Sequence, residues 1–333
     1  MPIPILICDD SGFARKQMAR SLPENWNVDV SFAANGLEAL SAIKEGQAHV
    51  LFLDLNMPLM DGYQVLEVVR SQDLPTLVIV VSGDVQPEAR RRVMELGALD
   101  FIEKPINRDK LDAILQRYGV LQELEAPDQL FESLSSDIQV EFDITEGYQE
   151  VANVAMGQAA DLLARLLHVF IELPIPQVRL TPGVQLAEVV AETVPNHRLS
   201  VVSQGFACAG ISGEALLFID ESDLSELSYI FDPEEGSTQL DLLMEISNIL
   251  IGACMSGVAD QLELKFSVGH PEVLGRGIDV GALRFQHGRA DEERLTIGIR
   301  YGIQEQRINC TLMLIFTGDS TPALEERVKW LVE

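Results

Sequence analysis

At 333 residues, with 47% hydrophobic side chains and a mean hydropathy of +0.13, the chain is long for one domain and rich enough for two cores, which excludes general disorder. A formal charge of −28, from 52 acidic and 24 basic side chains, makes nucleic acid and anionic membranes poor partners, because phosphate-binding surfaces need clustered Lys and Arg. Four scattered cysteines and five histidines without ligand spacing argue against a disulfide framework and a zinc centre.

The N-terminus, Met1 to Cys8, has no basic start and runs straight into Asp9-Asp10, so it is not expected to be a signal peptide. The apolar stretch 162–170 is broken by Arg165 and His168 and is far short of a membrane span. The expectation is a cytoplasmic protein without membrane insertion.

Strand and helix patterns then alternate. Apolar runs at 3–8, 28–33, 50–53, 77–81 and 101–102 are each followed by a helical pattern, at 13–22, 37–43, 63–69, 87–96 and 110–118. Five such units in about 120 residues predict a doubly wound parallel sheet whose strand ends share one edge. In open sheets of this kind the ligand crevice lies just beyond the carboxyl ends of the strands.

That edge collects chemistry. The first strand delivers Asp9 and Asp10, the third Asp54, the fourth Ser82, and the fifth Lys104 followed by Pro105. Three carboxylates cannot crowd together ionised without a cation, and hard oxygen ligands at an open site suit Mg²⁺. Asp54 is read as a nucleophile that forms an acyl phosphate, with Lys104 neutralising the phosphoryl oxygens. Ser82 would donate to the phosphate while Phe101 turns inward beside it, as a switch. An Asp-Asp pair is more often a helix cap and Lys-Pro more often a turn, so the joint placement carries the reading.

These residues, with Asn56-Met57-Pro58 and Asp61-Gly62 between them, resemble a response-regulator receiver domain, CheY-like, over residues 3 to about 120. The resemblance implies a flavodoxin-like fold, a histidine kinase as phosphodonor, and Mg²⁺ held by Asp10, Asp54 and the backbone carbonyl of Asn56, with Asp9 reaching it through water. Ser82 stands where Thr is commoner, and Phe101 where Tyr is commoner.

The division expected is a receiver at 1–121, a linker at 122–142 and a second domain at 143–333. The linker is acidic and polar, and Pro127 with Ser133, Ser135 and Ser136 argues against one rigid helix. Fully extended, about 20 residues reach on the order of 65 Å.

Helical patterns run from 144 to about 170 and from 240 to about 262, and they share a repeat. Glu150-Val-Ala-Asn153 with Gly157 recurs as Glu245-Ile-Ser-Asn248 with Gly252, each pair 95 positions apart (150 to 245, 153 to 248, 157 to 252). Positions i and i+3 share a helix face, so each copy sets a carboxylate beside a carboxamide. Asn can hold a water in line with the leaving oxygen of an acyl phosphate, and Glu can pair with a Lys in a phosphate pocket. One such pair is ordinarily a solvated face, and it is the repetition that carries weight.

The repeat, with Gly213 to Ile219 as a strand between the helices, resembles the CheC/CheX/FliY family of chemotaxis phosphatases, in its two-site CheC branch. The resemblance implies that Glu150, Asn153, Glu245 and Asn248 are catalytic and that a phosphorylated CheY-like receiver is the substrate. Strand patterns at 199–209, 215–219, 264–268, 295–301 and 308–316 and a closing helix at 324–332 predict an α+β domain. Its two motif helices are expected on one sheet face with their Glu and Asn rows outward. Two rival readings are a non-catalytic adaptor that binds phosphoreceivers and a response regulator that dephosphorylates itself. The sequence leaves homodimerisation open.

Overall fold

The protein is described by a computed structural model covering residues 2–23, 26–118, 143–194, 198–230, 238–283, 293–303 and 308–331. It divides into two compact units, 1–150 and 151–331. The linker expected at 122–142 lies outside the described residues.

In the first unit five strands, β1 (Ile3–Cys8), β2 (Val28–Ala33), β3 (Val50–Leu53), β4 (Leu77–Ser82) and β5 (Asp100–Glu103), form a parallel sheet in the order β2-β1-β3-β4-β5. All four residues of β3 are buried, as a central parallel strand covered on both faces requires, whereas β2 at the edge is only half-buried. The covering helices are α1 (Gly12–Ser21), α2 (Gly36–Lys44), α3 (Gly62–Ser71), α4 (Pro87–Glu95) and α5 (Arg108–Arg117). Alternation along the strands sorts the core into two layers. Leu6, Leu51, Leu53 and Val80 pack with Leu40, Val65 and Val93 of α2, α3 and α4. Ile5, Ile7, Phe52 and Ile79 pack with Met18 of α1 and Leu111 and Leu115 of α5.

The helices start where sequence dictates. The side chains of Ser11, Asn35, Asp61 and Asn107 cap α1, α2, α3 and α5, and α4 begins with Pro87. Because the strand order reverses between β1 and β3, a crevice opens at their carboxyl ends. A long helix, α6 (Ile144–Leu167), begins in the first unit and continues into the second.

The second unit is built on an antiparallel eight-stranded sheet. Its strands are β6 (Ile171–Glu172), β7 (Gln177–Pro182), β8 (Leu199–Cys208), β9 (Ile211–Asp220), β10 (Ser267–Val268), β11 (Glu272–Ile278), β12 (Glu293–Ile303) and β13 (Ile308–Phe316). The main path runs β10-β8-β9-β13-β12-β6, with β11 beside β8 and β7 beside β12. Besides α6, the helices α7 (Leu186–Thr193), α8 (Glu221–Ile230), α9 (Gln239–Gln261) and α10 (Thr321–Trp330) accompany it among the described residues. Leu186 and Val190 of α7 pack on Val201, Leu216, Phe218 and Met313. Against β8 and β9 lies α9, and its Gln261 donates to the backbone carbonyl of Val151 in α6 at 2.9 Å. By length and composition α9 could cross a membrane, but 67% of its most apolar window is buried within this fold.

The expected α/β receiver sheet and the separate α+β domain are both present. The elements β6, β7, β11, α7 and α8 were not expected. On β7 only Thr181 is buried and β11 has no fully buried residue, so neither shows the apolar run of an interior strand.

Candidate functional site

At the carboxyl edge of the first sheet, Lys104 is buried among carboxylates. Its Nζ lies 2.7 Å from Asp9 Oδ2 and 3.2 Å from Asp54 Oδ1. A third carboxylate reaches it from the first turns of α6: Glu150 Oε1 at 3.2 Å and Oε2 at 3.4 Å. Burial alone would push the ammonium down, but Asp54, Asp9 and Glu150 hold Lys104 well above its usual range. One ammonium cannot neutralise three buried carboxylates. Burial accordingly raises Asp54, and it raises Glu150 to about 7, with Lys104 opposing both shifts.

Asp10 is half-buried, and its carboxyl rises to about 7 through burial and the nearby Asp9 and Asp54. Its Oδ1 is buried without a hydrogen-bond partner. An orphaned, crowded carboxylate oxygen is what a hard cation relieves. Among the described residues no three His, Cys, Asp or Glu side chains are arranged to hold a metal. A set of two carboxylates and a backbone carbonyl falls below that count and fits a cation that keeps several waters.

The loop after β3 is tightly made. Asn56 donates its backbone N–H to Asp54 Oδ2 at 2.8 Å. A Cβ on Gly62 would collide with the backbone carbonyl oxygen of Asp54, so only glycine lets α3 start this close to the loop. Leu59, between them, has φ of 67° and is 81% exposed, a strained and uncovered residue beside the site. Ser82 is buried and its Oγ accepts the backbone N–H of Asp84 at 3.1 Å. Phe101 is buried as well. The structure therefore gathers Asp9, Asp54 and Lys104, with Asp10 adjoining, while Ser82, Phe101 and Asn56 occupy the neighbouring strand end, strand and loop.

The two motif copies differ. Glu245 and Asn248 on α9 are exposed, as expected. Glu150 and Asn153 on α6 are buried, at 3% and 7% exposure, and this corrects the expectation that both rows face solvent. Glu150 is covered because it is spent on Lys104. The Oδ1 of Asn153 is buried without a hydrogen-bond partner. The sequence reading also missed two neighbours of Glu150: Glu146 Oε2 accepts the backbone N–H of Phe13 at 3.1 Å, and Gln149 Nε2 lies 3.5 Å from Asp10 Oδ2. No local signal could have shown contacts across more than 130 positions.

Residues 5–116 match the family model described as the response regulator receiver domain. The match covers the five-stranded parallel sheet and its helices, so residues 5–116 are a receiver domain. Two curated relatives are a protein-glutamate methylesterase/protein-glutamine glutaminase 1 from Syntrophomonas wolfei and a protein-glutamate methylesterase/protein-glutamine glutaminase from Bacillus licheniformis. The first is 32% identical over 36% of this chain and 35% of its own length. The second is 38% identical over 33% of this chain and 31% of its own length. The chain spans about a third of the length of each of these two relatives. Among solved structures, Thermotoga maritima FliY is 16% identical, covering 58% of this chain and all of its own, with a TM-score of 0.47. A chain of the CheX-CheY-BeF3-Mg+2 complex from Borrelia burgdorferi is 30% identical over 35% of this chain and 90% of its own, with a TM-score of 0.33.

Proposed function

We propose that this chain is a signalling phosphatase that hydrolyses the aspartyl phosphate of CheY-like receiver domains and is regulated by phosphorylation of its own receiver at Asp54. The observation that carries the reading is the carboxylate of Glu150, first residue of a Glu-x-x-Asn copy, on Lys104 beside Asp54.

Asp54 stands at the end of β3 with its carboxylate next to a buried ammonium, the setting for accepting a phosphoryl group from a histidine kinase. Mg²⁺ would be held by Asp10, Asp54 and the carbonyl of Asn56, with Asp9 through water, and when bound it neutralises phosphoryl oxygens. The acyl phosphate so formed is a mixed anhydride. In hydrolysis a water oxygen bonds to phosphorus, the bond from phosphorus to the aspartyl oxygen breaks, and the carboxylate leaves with the electron pair. The water's proton passes to solvent. The carboxamide of Asn153 or Asn248 holds that water in line, and Glu150 or Glu245 fixes the docked geometry through the receiver's lysine. The names of the curated relatives bring no methylesterase reading here, since the match spans only about a third of each.

Turnover tests the reading. A sub-stoichiometric amount of the chain should clear an excess of phosphorylated CheY-like receiver, and Asn153→Ala combined with Asn248→Ala should abolish phosphate release. An adaptor would instead hold one equivalent of phosphoreceiver, and undiminished release by the double variant would overturn the mechanism.

A further inference from the structure

We infer that Glu150 is an internal stand-in for the phosphoryl group: in the unphosphorylated chain it occupies the Lys104 ammonium, and a phosphoryl group on Asp54 displaces it. The inference rests on Asp54 as the phosphoacceptor of the proposed function and names what its phosphorylation moves.

Every group involved belongs to the first unit. An ammonium has three N–H donors. On Lys104 three carboxylates take them, Asp9 at 2.7 Å and Asp54 and Glu150 each at 3.2 Å. A phosphoryl group on Asp54 adds three acceptor oxygens and about two negative charges beside that same ammonium. No donor is left for it, and like charge drives one carboxylate out.

The three carboxylates are not equally free to leave. Asp9 and Asp54 directly follow β1 and β3, with their backbone N–H groups bonded to the carbonyls of Ala33 and Cys8 on neighbouring strands. Glu150 arrives instead on the first turns of α6, which are held to the receiver at two other points. Glu146 Oε2 accepts the N–H of Phe13 in the first turn of α1 at 3.1 Å, and Gln149 Nε2 lies 3.5 Å from Asp10 Oδ2, long for a hydrogen bond. A Cβ on Gly12 would stand 2.6 Å from Glu146 Oε2, so the glycine leaves the space that Glu146 fills. Glu150 is therefore the carboxylate that leaves, and segment 144–150 is a latch that phosphorylation opens. A phosphodonor must in turn find the chain in its minor, unlatched state, which slows labelling.

The test uses the full chain with acetyl phosphate and Mg²⁺. The Asp54 carboxylate oxygen bonds to phosphorus as the bond from phosphorus to the acetyl oxygen breaks, and acetate leaves with the electron pair. Two quantities are followed, the rate of labelling and the hydrogen exchange of backbone amides in 144–150. Labelling of wild type should speed that exchange by on the order of tenfold, and Asp54→Asn, treated alike, should show neither label nor change. In Glu150→Ala the ammonium keeps Asp9 and Asp54, so the receiver still labels, and it should do so on the order of tenfold faster than wild type. Glu146→Ala, which touches no group of the phosphorylation site, should also label faster, by less. Label at Asp54 with unchanged exchange in 144–150, or Glu150→Ala labelling at the wild-type rate, overturns the inference and leaves Asp54 as the acceptor. Label retained by Asp54→Asn, or no label in either wild type or Glu150→Ala, removes the acceptor reading and the inference together.

Discussion

The helices α6 and α9 carry the same letters at the same spacing, yet Glu150 is buried against an ammonium while Glu245 stands in solvent. Spacing at i, i+3 fixes which side chains share a face and leaves open what covers that face. The cover decides the chemistry. In solvent a carboxylate and a carboxamide stay hydrated; beside a buried lysine the same carboxylate joins a cluster whose charges do not balance. The comparison can be broken at three points, taken here from the largest effect downward.

The first point is where the helices meet. A Cβ on Gly257 of α9 would lie 2.7 Å from Cα of Ala155 on α6, against backbone that cannot rotate away. Gly257→Ala must push the helices apart and should destabilise the second unit by about 3 kcal/mol, read as a lower urea midpoint. An unchanged midpoint would mean that the two helices are not in fixed contact.

The second is the charge cluster. Burial raises the Glu150 carboxyl from 4.5 to about 7, so the folded chain keeps a proton that the unfolded chain releases. Stability on this account is highest below the unfolded value, falls as pH rises from about 4.5 to about 7, and is flat above. Glu150→Gln cannot ionise and escapes the loss. It should match wild type near pH 4 and exceed it by about 2 kcal/mol at pH 8, with urea midpoints measured across that range. A variant less stable than wild type at pH 8 would show instead that attraction to Lys104 outweighs burial and repulsion from Asp9 and Asp54.

Much of the first unit was legible because its signals are local. The apolar run Val50 to Leu53 ending in Asp54, and caps such as Asp61, are written in adjacent residues, and parallel topology then brings Asp9, Asp54 and Lys104 to one edge. The second unit was legible in its long helices and central strands. It was not legible in β7, β11 and α8, which are half-exposed or short and show no clean period. Least legible was the company of Glu150. Nothing in Glu-x-x-Asn says that a lysine 46 positions earlier will meet one copy and spare the other.

The third point is the glycine that closes the second copy. Gly252 lies one turn beyond Asn248, in the interior of α9, and a Cβ there would meet nothing within 4 Å. No neighbour demands a glycine, and glycine inside a helix costs backbone entropy that alanine does not. Gly252→Ala should therefore stabilise the second unit by about 0.5–1 kcal/mol. If the exposed face of α9 receives a partner receiver, the added methyl stands where that partner's backbone must approach, and release of phosphate from a separate receiver should fall while the urea midpoint rises. A midpoint that falls would show that the Gly252 face is already covered. A rising midpoint with unchanged release would leave Gly252 outside the docking patch and narrow that patch to the turn bearing Glu245 and Asn248.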